Sequence, residues 1–219
     1  MRTREVPVKR KYVAASAIFA LRAFSAGISG DVRQQITLRV VNEDGISWQI
    51  VSNAENEAGF ILGKAGVRVE WLNCADGFVD WAREERCSQV PGPRDFDIRI
   101  VVRQPRERHA SALGLAVLPE GAAEGRPYAV IYYPVAEVMA QMSMADAFQV
   151  VGAAIAHEVG HLLLGANHSR TGLMRAKWTG AELERISVRS LRFSSDESTG
   201  LRRAIAALDH PKLAVAAVH

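Results

Sequence analysis

The chain has 219 residues, 48% of them hydrophobic and 23% charged, which is enough apolar material to bury one sizeable core. No apolar run in the sequence approaches the roughly 20 residues needed to cross a bilayer. The formal charge of +3 and pI of 9.1 come from residues 1–26, where Arg2, Arg4, Lys9, Arg10, Lys11 and Arg22 face only Glu5, a net of +5. The remaining chain stands at −2, with no basic block and no aromatic-basic interleaving, which argues against a nucleic-acid partner.

The N-terminal stretch has the order of a secretory leader. Basic residues come first, a short apolar run from Val13 to Leu21 follows, and small residues stand at Ala23, Ser25, Ala26 and Gly27. Residues 1–27 are expected to be a signal peptide and residues 28–219 one domain, with a secreted or periplasmic destination and no stable membrane insertion after processing. Arg22 interrupts the apolar run, so a frayed basic segment before a short helix is the alternative. The two cysteines, Cys74 and Cys87, are expected to form one disulfide if the chain is exported, and to be reduced thiols otherwise.

Downstream, Gln35–Val41 alternates as a strand and Asn42–Gly45 reads as a turn. From Ser47 to Leu62 the apolar residues Trp48, Val51, Ala54, Ala58, Ile61 and Leu62 follow helical spacing, and Gly63 or Gly66 ends the helix. Val67–Leu72 is a second strand, Cys74 to Arg94 a long surface connection, and Asp97–Val102 a third strand. Ala112–Leu118 ends at Pro119 and reads as an edge strand; after a Gly-rich loop, Tyr128–Tyr133 is a further strand. Met144 to Leu164 predicts a long helix apolar on most sides, and a last helix begins near Ser194 or Ser195, with Asp196 and Glu197 in its first turn. Strands and a helix first, then helices, predict an α+β or α/β sheet domain with a helical C-terminal part.

The long helix carries the chemistry. His157 and His161 are four residues apart, which puts both imidazoles on one face with Cβ atoms about 6 Å apart. Two rings so placed can share one zinc ion, and Glu158 can reach the attacking water as general base without ligating the metal. Gly165 stands where the helix must stop, in a position for a left-handed turn, and His168 returns toward the metal beyond it. Three protein ligands leave an open coordination position, the arrangement of a catalytic zinc site. Surface histidines without a metal are the alternative, but two histidines and a glutamate in so apolar a helix need partners.

These residues resemble the metzincin superfamily, and among its members the matrixin-like ones. The family pattern of His-Glu, a second His, a Gly, a third His and a Met further on is similar to His157, Glu158, His161, Gly165, His168 and Met174, the last in Gly172-Leu173-Met174. Ser169 after the third His also resembles matrixins. The resemblance implies an α+β fold with a twisted mixed sheet, a long active-site helix and a smaller helical C-terminal part. It further implies Zn2+ on His157, His161 and His168, with Met174 in a turn beneath it. Leu113, Gly114, Leu115 and Ala116 would form an edge strand along which a peptide or protein substrate lies extended. One departure is visible: Gly165 and His168 each come one residue later than in the family, with Leu164 and Asn167 at the family spacing. One added residue rotates a helix by about 100°. A third ligand from a later helix, as in thermolysin-like enzymes, is the alternative, with Glu182 and Glu184 as candidates.

The function expected is therefore zinc-dependent hydrolysis of peptide bonds by a metalloendopeptidase. A secreted, non-catalytic zinc-containing binding protein is one rival, and a zinc hydrolase acting on a non-peptide substrate is another.

Overall fold

Ile36, Leu38 and Val40 alternate along the first strand and are fully buried on the face that meets the helices. The same alternation recurs across the sheet in register. Val40 lies beside Ile98, Ile98 beside Ala129, and Ile100 beside Ile131, so one continuous apolar surface is presented. The computed structural model from which these positions come describes residues 34–43, 45–74, 81–103, 112–119 and 125–209. The expected signal peptide lies outside the described residues.

The fold is mixed α+β. Its strands are β1 (Gln35–Asn42), β2 (Arg68–Asn73), β3 (Asp95–Val101), β4 (Gly114–Val117) and β5 (Tyr128–Tyr132), in the spatial order β2-β1-β3-β5-β4. All neighbours run parallel except β4, which pairs antiparallel with β5 and forms an edge. Helix α1 (Trp48–Lys64) connects β1 to β2 and buries Val51, Ala54, Ala58, Ile61 and Leu62. Gly66 follows it with φ +82°, a backbone conformation that glycine adopts without strain. Helix α4 (Ala147–Leu164) packs against α1 and the sheet, and Gln149 accepts from the Asp146 N–H at its start. By length and composition α4 passes as a membrane span, yet it is buried among α1, the sheet and the C-terminal helices.

Three elements differ from the sequence expectation. The connection after Cys74 contains a short helix, α2 (Trp81–Ser88), and a Cys74–Cys87 disulfide spans 13 positions with its Cα atoms 5.6 Å apart. Arg39, buried on the outer face of β1, bonds the carbonyls of Cys87 and Gln89 and pairs with Asp97 on the neighbouring strand at 3.8 Å. The end of α2 is thus tied to the sheet by polar contacts rather than by the apolar periodicity that sequence reading detects. Helix α3 (Tyr133–Gln141) was not expected and starts directly from β5 with a proline in its first turn, while the expected long helix, α4, starts three residues later than Met144. Helix α5 (Gly180–Ser187) was not expected, while α6 (Ser195–Leu208) begins where its acidic first turn indicates, with Ser194 accepting from the Glu197 N–H.

Two glycines set how closely the site helix is held. A Cβ at Gly152 would lie 2.6 Å from the Ala54 carbonyl and 2.6 Å from Glu57 Cβ, so α1 and α4 touch backbone to backbone there. Neither obstacle is the far end of a flexible side chain. Gly152→Ala is expected to lower unfolding stability by about 1–3 kcal/mol, seen as a lower urea midpoint with an unchanged slope. A midpoint equal to the parent's would mean that the two helices can separate freely.

Candidate metal centre

The C-terminal half of α4 carries His157, Glu158 and His161, all buried. They lie on the wall of an open cleft of about 770 Å³, whose opposite wall is β4. His157 Nε2 is 3.0 Å from His161 Nε2, and His161 Nε2 is 3.2 Å from His168 Nε2. The ligating atoms of all three rings lie within 4.8 Å of one another, and among the described residues no other group of His, Cys, Asp or Glu converges in this way.

The orientation of the first two rings is fixed from behind. His157 Nδ1 donates to the Leu173 carbonyl at 2.7 Å, and His161 Nδ1 donates to the Gly165 carbonyl at 2.9 Å. A carbonyl only accepts, so each Nδ1 carries the proton and each Nε2 of the neutral ring presents a lone pair. Two lone pairs facing at 3.0 Å repel unless a cation lies between them. Ligands at 2.0–2.1 Å in a tetrahedron stand about 3.3 Å apart, close to the spacing found here, so the donor set suits zinc in type and geometry. Burial lowers the His157 pKa to about 4, with His161 and His168 adding to the shift against the opposing bond to Leu173. His168 is likewise lowered by burial and by His161. Neutral imidazoles at neutral pH are what a metal needs.

Gly165 ends α4 with φ +88° and ψ −172°. This is not the left-handed helical conformation expected from sequence but a more extended one open essentially to glycine alone. It turns the Gly165 carbonyl onto the His161 ring while its own N–H bonds the His161 carbonyl at 2.9 Å. Asn167 is exposed beyond the turn. Met174 is buried beneath the helix, and a Cβ at Gly160 would lie 2.4 Å from its Sδ and 3.0 Å from Phe193. Leu173 receives a second hydrogen bond, from Trp178 Nε1 at 3.0 Å, and the Trp178 ring stands edge-on to His157. The Ser169 hydroxyl bonds Glu197 at the start of α6.

Glu182 and Glu184 are not part of this cluster. Glu184 is exposed on α5. Glu182 is buried, accepts from the N–H and hydroxyl of Thr179 at 2.8 and 2.6 Å, and pairs with Arg175 at 3.0 Å. Burial raises its pKa, but the bonds from Thr179 and Arg175 outweigh that and hold it at about 2.

Glu158 faces β4. Its carboxylate accepts the Ala116 N–H, and a Cβ at Gly114 would lie 2.6 Å from its Oε1. Tyr132 N–H bonds the Leu113 carbonyl, and the pairing of Leu115 with Val130 continues that register. The main-chain groups of Gly114 and Ala116 therefore point outward along the free edge. Burial pushes Glu158 up to about 8, the Ala116 bond opposing. The Gly114 contact was not foreseen, although a glycine inside an apolar strand is a signal of close approach.

No protein-family model matches the chain, and no curated protein does. Among solved structures the chain is similar to metalloproteinase-II from Bacteroides fragilis, at 14% identity and a TM-score of 0.48, over 80% of this chain and 54% of that one. It thus spans about half the length of that protein. It is also similar to archaemetzincin from Methanopyrus kandleri, at 20% identity and a TM-score of 0.47, over 78% of this chain and 96% of that one.

Two outcomes separate the histidines from the glutamates. His168→Ala is expected to weaken zinc binding roughly a hundredfold or more, measured by competition with a chromophoric chelator, while Glu184→Ala leaves it unchanged. A carboxylate held below its ordinary value of 4.5 stabilises the fold above that pH, and the contribution is lost as pH falls toward about 2. Glu182→Gln should therefore flatten the acid limb of the stability profile between those values while zinc affinity at neutral pH stays at the parental level. A loss of zinc affinity in that variant would put Glu182 at the metal.

Proposed function

We propose that this chain is a zinc-dependent peptidase, with His157, His161 and His168 as ligands and Glu158 as general base. One observation carries the reading: three imidazoles converge at the wall of an open cleft, with the lone pairs of His157 and His161 fixed toward each other. A structural zinc site is usually closed by four protein ligands, and only three donors converge here among the described residues. That favours catalysis over a non-catalytic binding protein. The engagement of Glu182 with Thr179 and Arg175 speaks against a thermolysin-like ligand set.

Bound zinc would supply a Lewis acid that polarises a carbonyl and acidifies water. The chain's own residues do the rest. The outward N–H of Gly114 and the outward C=O groups of Gly114 and Ala116 pair with an extended backbone and lay its scissile bond beside the triad, while the Ala116 N–H holds Glu158. Glu158, desolvated between α4 and β4, takes a proton from the attacking water and returns it to the leaving amine. Gly114 keeps room for that carboxylate. The buried Met174 supports Gly160 from below. The matrixin-like reading rests on the order of residues 157–174, from His157 to Met174. Export is part of the proposal, supported by the Cys74–Cys87 disulfide, since such bonds persist in oxidising compartments.

Glu158→Ala is expected to retain zinc and to lose hydrolysis of a quenched fluorescent peptide by about 10²–10⁴-fold. Cleavage at near the parental rate would remove Glu158 from the mechanism. Gly114→Ala should also keep zinc, but with hydrolysis lowered by about tenfold or more, because the new methyl displaces the carboxylate.

A further inference from the structure

Beyond Met174 the chain runs along the cleft as Arg175-Ala176-Lys177-Trp178, and each end of this segment is pinned. Arg175 bridges to Ser169 and pairs with Glu182, while Trp178 is bonded to the Leu173 carbonyl. Thr179 then caps α5. Ala176 and Lys177, both exposed, are held between these anchors and line the cleft. A wall fixed at both ends presents its side chains at a constant place.

The charges on that wall do not cancel. Arg175 gives Nη1 to both oxygens of Glu182 and is still partly exposed, with 36% of its side chain accessible. Glu182 itself is saturated by Arg175 and Thr179 and is buried. Among the described residues Lys177 has no ion-pair partner. Among the described residues lining the cleft Glu158 is the one carboxylate, and it is bonded to Ala116 on β4. Apart from Arg175, Lys177 and Glu158, the described lining residues are apolar or one of the three histidines.

We infer that the Arg175–Trp178 wall recognises a substrate carboxylate through Lys177, with Arg175 beside it, an inference that rests on the peptidase reading. Two sources supply that group: an acidic side chain within the substrate, or the free carboxylate of its C-terminus. Apolar side chains are served by the rest of the cleft, whose lining includes Leu113, Val135, Val138 and Met139. The substrate class is thus an extended peptide that combines apolar side chains with a carboxylate near the scissile bond.

The test uses zinc-loaded Glu158→Gln protein and short fluorescein-labelled peptides, read by anisotropy, with cleavage by the parent protein read separately. One peptide carries an internal Glu and an amidated C-terminus, the second has Gln in its place, and the third has that Gln with a free C-terminal carboxylate. The internal-Glu or the free-carboxylate peptide should bind about three- to tenfold more tightly than the neutral one, and the preferred member of the pair names the source. Lys177→Glu should invert the preference, Lys177→Met should abolish it, and both should keep zinc. Added salt should narrow the difference. Equal binding of all three peptides, no binding of any, or a preference untouched by Lys177→Glu overturns the inference. Preferential binding without cleavage by the parent upholds carboxylate recognition and counts against the peptidase reading instead. Cleavage without preference does the reverse.

Discussion

The Leu173 carbonyl accepts His157 Nδ1 at 2.7 Å and Trp178 Nε1 at 3.0 Å, and much of the site hangs on that oxygen. It fixes the tautomer and rotation of the first imidazole, and it anchors the cleft wall that follows Met174. The Leu173 N–H in turn bonds the Arg192 carbonyl at 3.0 Å, and Ser169 N–H bonds the Met174 carbonyl at 2.8 Å. The turn is therefore held from both sides. A ring aimed by a backbone carbonyl cannot swing to solvent without giving up that hydrogen bond, which disfavours the swing by about 0.5–1.5 kcal/mol. Preorganisation of this kind lets a metal bind without first ordering its ligands.

The helix that presents the ligands is placed by the absence of side chains as much as by their presence. At Gly152 it meets the α1 backbone, and at Gly160 it rests on Met174 and Phe193. Ala153, Ala154 and Ala156 fill the same helix and are fully buried. Small residues allow α4 to sit deep between α1 and the sheet, with His157, Glu158 and His161 facing the cleft. Depth has an electrostatic consequence. It removes water from His157 and Glu158, so His157 stays neutral and the Glu158 carboxyl is driven toward its protonated form. A cation on the triad would pull the carboxyl back down, so metal occupancy and carboxylate charge would support each other.

Parts of this arrangement were legible because they are local. The four-residue spacing of His157 and His161, the alternation in β1 and β3, and the acidic first turn of α6 each depend on neighbours in sequence. Helix α2 was not legible, since Trp81–Ser88 is highly charged and is stabilised by a disulfide and by Arg39 from a distant strand. Helix α3 was hidden by an apolar run that reads as strand through Tyr133, although Pro134 marked a helix start. Thr179 and Glu182 form a capping pair at the start of α5, a signature present in the sequence. A glutamate at that position has chemistry suited both to a cap and to a distant zinc ligand, and only its contacts with Thr179 and Arg175 separate the two roles. The contact between Gly114 and Glu158 joins positions 44 apart in sequence and has no local signature beyond the glycine itself.

The turn after α4 decides whether the third imidazole reaches the other two. Each further residue turns a helix end by about 100° and advances it by 1.5 Å, so the point at which the helix stops sets the direction in which the chain leaves it. Leu164, the last residue of α4, reaches toward α6, where a Cβ on Gly200 would lie 2.8 Å from Leu164 Cδ2. Gly165 then reverses the chain in a conformation that a residue with Cβ would rarely adopt, and its carbonyl caps the His161 ring. Ala166 and Asn167 pass through solvent, and His168 arrives 3.2 Å from His161 Nε2. The end of α4 is thus packed against α6, and the glycine that follows it gives His168 its return path to the other two rings.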